Sequence, residues 1–592
     1  MSATPAGFEE LRSTAEAWAE ADPDPETAAQ LRTTLEQAAD GQAVAYQELV
    51  DAFGGTLQFG TAGLRAGLGP GPNRMNRVVV RRAAAGLAEF VVRRVAEAHP
   101  DGEDDGGRPR AVVGFDARKN SDAFALETAA VFTAAGIETF LMPGPLPTPV
   151  LAYALRTLGC DVGVMVTASH NPPQDNGYKV YLGGRTVEEE GRGAQIVAPV
   201  DAEIASLIAE VGPVGEITLA DSGWTMLPAS IAADYRAAVV RLAEPERFGA
   251  RDLRIVLTPL HGVGGTTALG VLREAGFEDV TLVAEQAVPD PGFPTVAFPN
   301  PEEPGALDLA LAAAAEASAD LVIANDPDAD RCAVAAVDPA SGEWRMLRGD
   351  EVGALLGAHV VRRLGLTDDD GRAAGAGPVD GVFANSIVSS RLLGRIADAA
   401  GIAHRETLTG FKWISRVPGL VYGYEEALGY CVAPELVKDK DGISAALLVA
   451  ELAADAKSQG LSLFDRLDAL HVRHGVHLTD QLSVRVADLG LLGAMMVRLR
   501  ENPPAAFADS PVELAVDLSE GSAELPPTEG LLWVTRDATR VIVRPSGTEP
   551  KLKCYLEVIR PVDSSAELAE ARQAARQAMD AALEDVREAL GL

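Results

Sequence analysis

Alternation constrains this chain more than any other feature: short runs of consecutive apolar residues are separated, again and again, by stretches with helical spacing. An apolar run of about four to eight residues reads as a strand buried on both faces, and a sheet of such strands needs covering helices. In the first round, a helical pattern from Arg77 to Ala98 precedes AVVGFD at Ala111. A helical stretch from Asp122 to Ala135, ETFLMPG, a helical stretch from Val150 to Leu158, and DVGVMV ending at Val166 follow. A second round runs from LRIVLTPL at Leu253 to LVIAND ending at Asp326, and a third from Glu351 through GVFANS to VYGYEEALGY. The pattern predicts three α/β units in series, each with a mixed, largely parallel sheet.

The flanks differ. Residues 8 to 53 are Ala-rich and polar, with Pro23 and Pro25 between two helical patterns, and read as a helical extension. After about His477, LLWVTRD, RVIVRPSG and KLKCYLEVIR read as paired strands closed by a helix from Ser565 to Leu590, a smaller α+β unit. The expected division is 1–55, helical extension; 56–215, 216–340 and 341–475, three α/β domains; and 476–592, the C-terminal α+β domain. The composition change at 470–490 suggests a hinge.

Charge narrows function. The chain has 51 basic and 86 acidic residues, a net −35, a field that repels polyanions and disfavours nucleic-acid binding. Cys160, Cys332, Cys431 and Cys554 form no CxxC pair, which argues against a zinc site or disulfide framework and fits a reducing cytoplasm. The N-terminus lacks a basic region followed by an apolar core, and no apolar run reaches the ~18 residues that span a bilayer. Neither secretion nor membrane insertion is expected.

Four motifs carry chemistry. In VMVTASHNPPQDNGYKVY, Ser169 follows an apolar run and enters a loop in which Asn171, Pro172, Pro173 and Gly177 forbid regular continuation. A loop serine is usually structural or solvated, but His170 and Lys179 offer proton transfer and charge stabilisation beside this one. In NDPDADR, Asp326, Asp328 and Asp330 alternate directly after LVIA and can curl around one hard cation, with Mg2+ the natural choice and Arg331 adjacent. A lone DxD would more often be a solvated turn. In GYEEALGY, Glu425 and Glu426 can accept hydrogen bonds from sugar hydroxyls, with Lys412 and Lys440 on either side in sequence. In RPSGTEPKLK, Arg544, Ser546, Gly547 and Thr548, backed by Lys551 and Lys553, make a turn fit to cradle a phosphate.

Together and in this order the motifs resemble the α-D-phosphohexomutase superfamily, the phosphoglucomutases and phosphomannomutases. The likeness extends from FGTAGLR at Phe59 to RPSGTEP, with further echoes in GFDAR at Arg118, PTP before Val150 and PLHGVGG at Pro259. It implies three related α/β domains and a C-terminal α+β domain around a central cleft. It implies that Ser169 is the phosphoserine and joins Asp326, Asp328 and Asp330 at the metal, and that Glu425 binds sugar hydroxyls. Arg544, Ser546, Gly547 and Thr548 would grip the substrate's non-reacting phosphate, with Lys412 and Lys553 in reach. Arg65, His170, Lys179, Arg331 and Lys440 match positions associated with proton transfer or phosphate stabilisation.

The helical extension, ETLTGFKW and EEALGY look more like the phosphopentomutase and type-two phosphoglucomutase branch. Ala427 stands where many hexose enzymes have Ser, so strict glucose or mannose preference is not expected. The resemblance implies a phosphosugar mutase working through a sugar bisphosphate. Phosphoglucomutase with phosphopentomutase activity comes first, and phosphomannomutase or glucose 1,6-bisphosphate synthase are alternatives. It implies Mg2+ and a bisphosphate activator of the glucose 1,6-bisphosphate type, a small phosphosugar as partner, and a monomer or homodimer. A metal-dependent phosphatase would need only the first two motifs, and a sugar-phosphate sensor would keep the fold without turnover.

Overall fold

The apolar runs of the first round are strands of one six-stranded sheet. Its order is Leu64–Gly67, Asp175–Leu182, Val162–Val166, Arg110–Phe115, Glu138–Leu141 and Thr225–Met226. The structure is a computed structural model that describes residues 7–60, 63–98, 107–367, 380–486, 489–523, 525–546 and 551–592. Pairing is parallel from Val162–Val166 through Arg110–Phe115 and Glu138–Leu141 to Thr225–Met226, and antiparallel on the other side. Val113, Val162 and Val164 are fully buried against helices Arg77–Ala98 and Ser121–Ala134, and Val112 is fully buried on the opposite face, where helix Thr148–Thr157 packs, which explains their unbroken apolar sequence. One expectation is corrected here. Gly177 lies inside strand Asp175–Leu182 opposite Arg65, not in the loop, and a Cβ there would sit 2.5 Å from the Thr167 carbonyl oxygen. Glycine at that position permits a close approach of backbones rather than a break.

The N-terminal extension has three helices, Phe8–Ala21, Pro25–Ala39 and Ala43–Phe53, where the sequence suggested two. Asp24 caps the second, accepting from the Glu26 N–H at 2.9 Å, and Pro25 occupies its first turn. Gly41, with φ 84°, supplies the additional turn. Phe8, Leu31, Leu35 and Leu49 form the extension's own buried core.

By density of contacts the chain divides into two units, one running to Ala335 and including Ala433–Glu451, the other Ala336–Val432 with Leu452–Leu592. The first unit also holds strands Val280–Leu282, Ile255–Thr258 and Leu321–Ala324 of the second round, which pair in parallel, and the beginning of Ala333–Val337, which pairs antiparallel with Leu321–Ala324. In the second unit, Ala403–Thr407, Val382–Ser386, Leu420–Glu425 and Gly429–Cys431 form a four-stranded mixed sheet. The C-terminal part is a six-stranded antiparallel sheet, Val476–Arg485, Lys551–Arg560, Arg540–Pro545, Leu531–Thr535, Ser510–Asp517 and Ala506–Phe507, packed on helix Leu568–Leu590.

Val476–Arg485 pairs along its whole length with Lys551–Arg560, and the composition change marks the switch from helix to ladder. Buried Glu557 ties this sheet to the preceding layer, accepting from Ser390 Oγ at 2.8 Å, Arg391 Nε at 2.6 Å and His477 Nδ1 at 3.0 Å. Burial alone would raise its pKa, but Arg540, His477 and Arg391 hold it well below the usual carboxylate range.

Candidate active site

Ser169 leaves strand Val162–Val166 in a left-handed conformation, φ 52°, unusual for a residue with a Cβ and costing roughly 1–2 kcal/mol. Arg118 holds it there. Its buried guanidinium donates to four carbonyl oxygens of the loop, those of Ser169 at 2.5 Å, Asn171 at 2.6 Å, Pro172 at 2.8 Å and Asp175 at 3.2 Å. Asp116 supports both ends, accepting from Thr167 Oγ1 at 2.6 Å and from the Arg118 N–H at 3.0 Å. Thr167 Oγ1 in turn accepts from the Ser169 N–H at 2.8 Å. The loop is thus fixed by its backbone, which leaves the serine hydroxyl for other work.

That hydroxyl donates to Asp326 Oδ2 at 2.7 Å and lies 3.2 Å from His170 Nδ1. Asp326, Asp328 and Asp330 follow strand Leu321–Ala324, and one oxygen from each falls within 4.8 Å of the others, all buried. Lys179, on the strand returning from the serine loop, donates to Asp328 Oδ2 at 2.6 Å and Asp330 Oδ2 at 2.8 Å. Thr148 also donates to Asp328 Oδ2, at 2.6 Å. Lys440 Nζ lies 3.3 Å from Asp330 Oδ2 and 3.5 Å from Asp439 Oδ1. Arg65 donates to Asn171 Oδ1 at 3.1 Å, and Arg331 lies 3.6 Å from Glu302 and 4.0 Å from Asp330. The first unit therefore gathers Arg65, Ser169, His170, Lys179, Arg331, Lys440 and the three aspartates.

The electrostatics follow from burial and like charge. Asp326 is pushed well above the usual carboxylate range by burial and then by Asp328 and Asp330. Asp328 is held low despite its burial, because Lys179 and Thr148 donate to it. Burial depresses Lys179, but Asp328 and Asp330 more than offset it and its pKa rises. His170 falls well below 6.5 through burial, with Arg331 and Arg65 adding to the effect, so its imidazole is neutral.

A divalent cation fits these donors. Asp328 Oδ1 and Asp330 Oδ1 are buried without a hydrogen-bond partner, a costly state unless a ligand completes them. Oxygens around Mg2+ at about 2.1 Å span at most about 4.2 Å, which small side-chain rotations here would reach. The loop is pressed into shape from behind. A Cβ on Gly262 would sit 2.3 Å from Pro327 Cα, and one on Gly442 would sit 2.1 Å from the Arg331 carbonyl oxygen.

The remaining sequence-predicted residues belong to the second unit. Buried Glu425 ends strand Leu420–Glu425. Neighbouring Glu426 accepts from Ser386 Oγ at 3.1 Å and Ser389 Oγ at 3.0 Å. Arg544, next to the end of strand Arg540–Pro545, lies opposite Lys553 and close enough to Tyr555 to act on its hydroxyl. The Tyr555 hydroxyl is raised by burial and further by Glu426 and Glu425, so the Glu425–Glu426 pair and the turn after Arg544 share one neighbourhood. The Ser546 N–H donates to the Lys551 carbonyl at 2.8 Å, and Lys412 is half-buried on the short helix Phe411–Ile414. Gly547 and Thr548 lie outside the described residues.

Matches to known families agree with this arrangement. Residues 56–210, 233–338 and 348–470 match phosphoglucomutase/phosphomannomutase alpha/beta/alpha domains I, II and III, and 496–578 match the C-terminal domain. A probable phosphomannomutase of Haemophilus influenzae is 43% identical over 485 residues, covering 82% of this chain and 93% of that protein. The chain belongs to the phosphoglucomutase/phosphomannomutase family.

Within this family, a human phosphopentomutase is 35% identical over 88% of this chain and 87% of its own length. A phosphoglucomutase of Staphylococcus haemolyticus is 32% identical over 88% and 93%. A putative phosphomannomutase of Thermus thermophilus shares the fold, with a TM-score of 0.66 at 23% identity over 90% of this chain and 99% of that one. The protein is accordingly an enzyme, a phosphomutase of the isomerase type. Among the described residues no helix is long and apolar enough to cross a membrane.

Sequence reasoning did not single out Thr148, Asp439, Ser386, Ser389 or Tyr555, and it gave Arg118 no role. Thr148 sits inside the PTP echo, but nothing local marks a partner 180 residues away. Arg118 follows Asp116 by two residues, and the turn between them carries the only local signal.

Proposed function

We propose that Ser169 carries the phosphoryl group between two oxygens of one aldose phosphate, through a sugar bisphosphate that turns over between two half-reactions. A sugar hydroxyl oxygen bonds to the phosphorus of phosphorylated Ser169 while the bond from phosphorus to Oγ breaks. The hydroxyl proton passes to a base and Oγ is reprotonated; neutral His170, 3.2 Å from Oγ, is placed for this exchange. Asp326, Asp328, Asp330 and the serine's phosphate would hold Mg2+, which neutralises charge on the transferring group. Lys179, Lys440, Arg65 and Arg331 stabilise the phosphoryl oxygens. Glu425 orients the sugar, and Arg544, Ser546, Gly547, Thr548, Lys553 and Lys412 hold the phosphate that is not reacting. This division of labour corresponds to a helical extension 1–55 and domains 56–215, 216–340, 341–475 and 476–592.

The observation that carries the reading is Ser169 Oγ at 2.7 Å from Asp326, in a triad whose other members each keep a buried oxygen without a hydrogen bond. A phosphatase would not need the second cluster around Arg544 and Tyr555. Glucose 1-phosphate and pentose 1-phosphates are the substrates, because Ala427 lacks the hydroxyl of stricter hexose enzymes. Mannose phosphate is the second reading, supported by the name of the Haemophilus relative. A glucose 1,6-bisphosphate type activator restores enzyme that has lost its phosphate. Four buried free cysteines support a reducing cytoplasm. A coupled assay with glucose, mannose, ribose and deoxyribose 1-phosphates, with and without bisphosphate, ranks the sugars by kcat/KM. Turnover by Ser169→Ala at the parental rate would end the proposal.

A further inference from the structure

Residues 8–53 lie before the first matched family domain, yet they bind two segments, the turn at 71–74 and Lys119, whose neighbours in turn hold the serine loop. On one side, helix Ala43–Phe53 ends against the turn that follows strand Leu64–Gly67. Helix C-termini leave carbonyl oxygens without intrahelical partners, and here the turn supplies donors. The Asn73 N–H donates to the Ala52 oxygen at 3.1 Å, Asn73 Nδ2 donates to the Asp51 oxygen at 3.0 Å, and Arg74 pairs with the Asp51 carboxylate. Gly71, φ 101°, lies so close that a Cβ would be 2.8 Å from the Ala52 oxygen. The same turn reaches the serine loop. The Leu68 N–H donates to the Gln174 oxygen at 2.8 Å, and Arg65, three residues earlier, bonds Asn171 at 3.1 Å.

On the other side, Lys119 pairs with Glu26 of the second helix at 2.8 Å. Its neighbour Arg118 is the residue that grips four loop carbonyls, and the Lys119 carbonyl accepts from Asn176 Nδ2 at 2.9 Å. The two arms converge on residues 169–176. The first arm is the stronger, because it contains backbone hydrogen bonds and a close-packed glycine, whereas the Lys119–Glu26 pair is more than half exposed on both sides and contributes little.

We infer that the N-terminal helices are a positioning element for phosphorylated Ser169, with Asp51 and Asn73 as its positioning residues. In-line phosphoryl transfer depends steeply on placement, and an error of about 1 Å can cost on the order of a hundredfold. Loosening the turn frees the strand bearing Arg65 and one anchor of the serine loop. The inference rests on Ser169 as the carrier.

The test uses the full-length enzyme and the double variant Asp51→Ala/Asn73→Ala, with Asn73→Ala alone as a milder companion that loses a single side-chain hydrogen bond. The double variant is expected to lose roughly tenfold in kcat with KM within about twofold of the parent. Intact-mass measurement should show faster loss of phosphate from serine, and hydrogen exchange should rise in residues 169–176. Asp51→Glu, which keeps the charge facing Arg74, should restore the parental rate. A folded double variant with parental kcat and unchanged exchange in that segment overturns the inference. If the double variant does not fold, parental kcat and parental phosphate loss in Asn73→Ala overturn it equally. Failure of the underlying reading is separable, since it would appear as turnover by Ser169→Ala whatever the N-terminal variants do.

Discussion

Lys179→Met tests how the first unit tolerates its own acidic loop. The ammonium is the shared partner of Asp328 and Asp330, at 2.6 and 2.8 Å, and the three side chains are 6%, 0% and 1% exposed. Methionine keeps most of the apolar stem and removes the charge. Deleting one partner of a buried ion pair costs about 3–5 kcal/mol, because the charge left behind is dry and incompletely paired, here with Lys440 at 3.3 Å from Asp330 as the one remaining ammonium. The first unit has about 350 residues, for which an unfolding entropy of about 2.1 cal/mol/K per residue makes each 1 kcal/mol lower the melting temperature by about 1.4 °C, so the metal-free variant should melt about 4–7 °C below the parent. The lysine's folded pKa lies above its ordinary 10.5, so its contribution is complete at any pH below that and the assay can be run at pH 7–8. Scanning calorimetry in EDTA and in excess Mg2+ separates the effects. The deficit should shrink in Mg2+, because a cation held by the same carboxylates substitutes for the missing charge. Equal melting of parent and variant in EDTA, or a deficit of the same size with and without Mg2+, refutes the reasoning.

Gly262→Ala should lower activity and Mg2+ affinity together, since its Cβ cannot coexist with Pro327 Cα at 2.3 Å; a titration matching the parent would contradict that placement. His471 is depressed from 6.5 to about 3 by burial first, then by Arg572, His477 and Arg345. Its unfolded form therefore binds a proton that the native form refuses, and stability falls as pH drops below about 6.5, by about 1.3 kcal/mol between pH 7 and 5.5. His471→Gln should flatten that slope in melts of the second unit, and an unaltered slope would show that other groups cause it. Cys160, Cys332 and Cys554 are buried with thiols pushed up to about 12, and Cys431 is buried too. All four should resist iodoacetamide in the native enzyme and react in denaturant, as counted by mass spectrometry.

Strands were legible where both faces are buried. VVGF, VGVMV, IVLT and LVIA are apolar without interruption because helices cover both sides of their sheets. The mixed sheets were legible as a class, but the antiparallel return Asp175–Leu182 was not, since Gly177 reads as a breaker until the Thr167 backbone is seen against it. The third N-terminal helix was hidden because Asp40 and Gly41 interrupt an otherwise continuous polar, Ala-rich stretch.

In the site, the aspartates and Ser169 announced themselves through local spacing, whereas their partners came from elsewhere in the chain. Thr148 reaches Asp328 across two sheets, and Arg118 acts through backbone oxygens, which no residue pattern encodes. Tyr555 occupies an ordinary alternating strand, and only the ladder that sets Arg544 opposite Lys553 brings it beside Glu425 and Glu426.

The bond from Ser169 to Asp326 joins residues 157 positions apart. During synthesis at about 5–20 residues per second, the serine therefore emerges roughly 8–30 s before the carboxylate it will face. Through that interval the nascent chain holds an ordinary alcohol, with no acidic cluster to bring a cation near it. On the proposed role of Ser169, its capacity to carry phosphate would arrive only when the second sheet has closed.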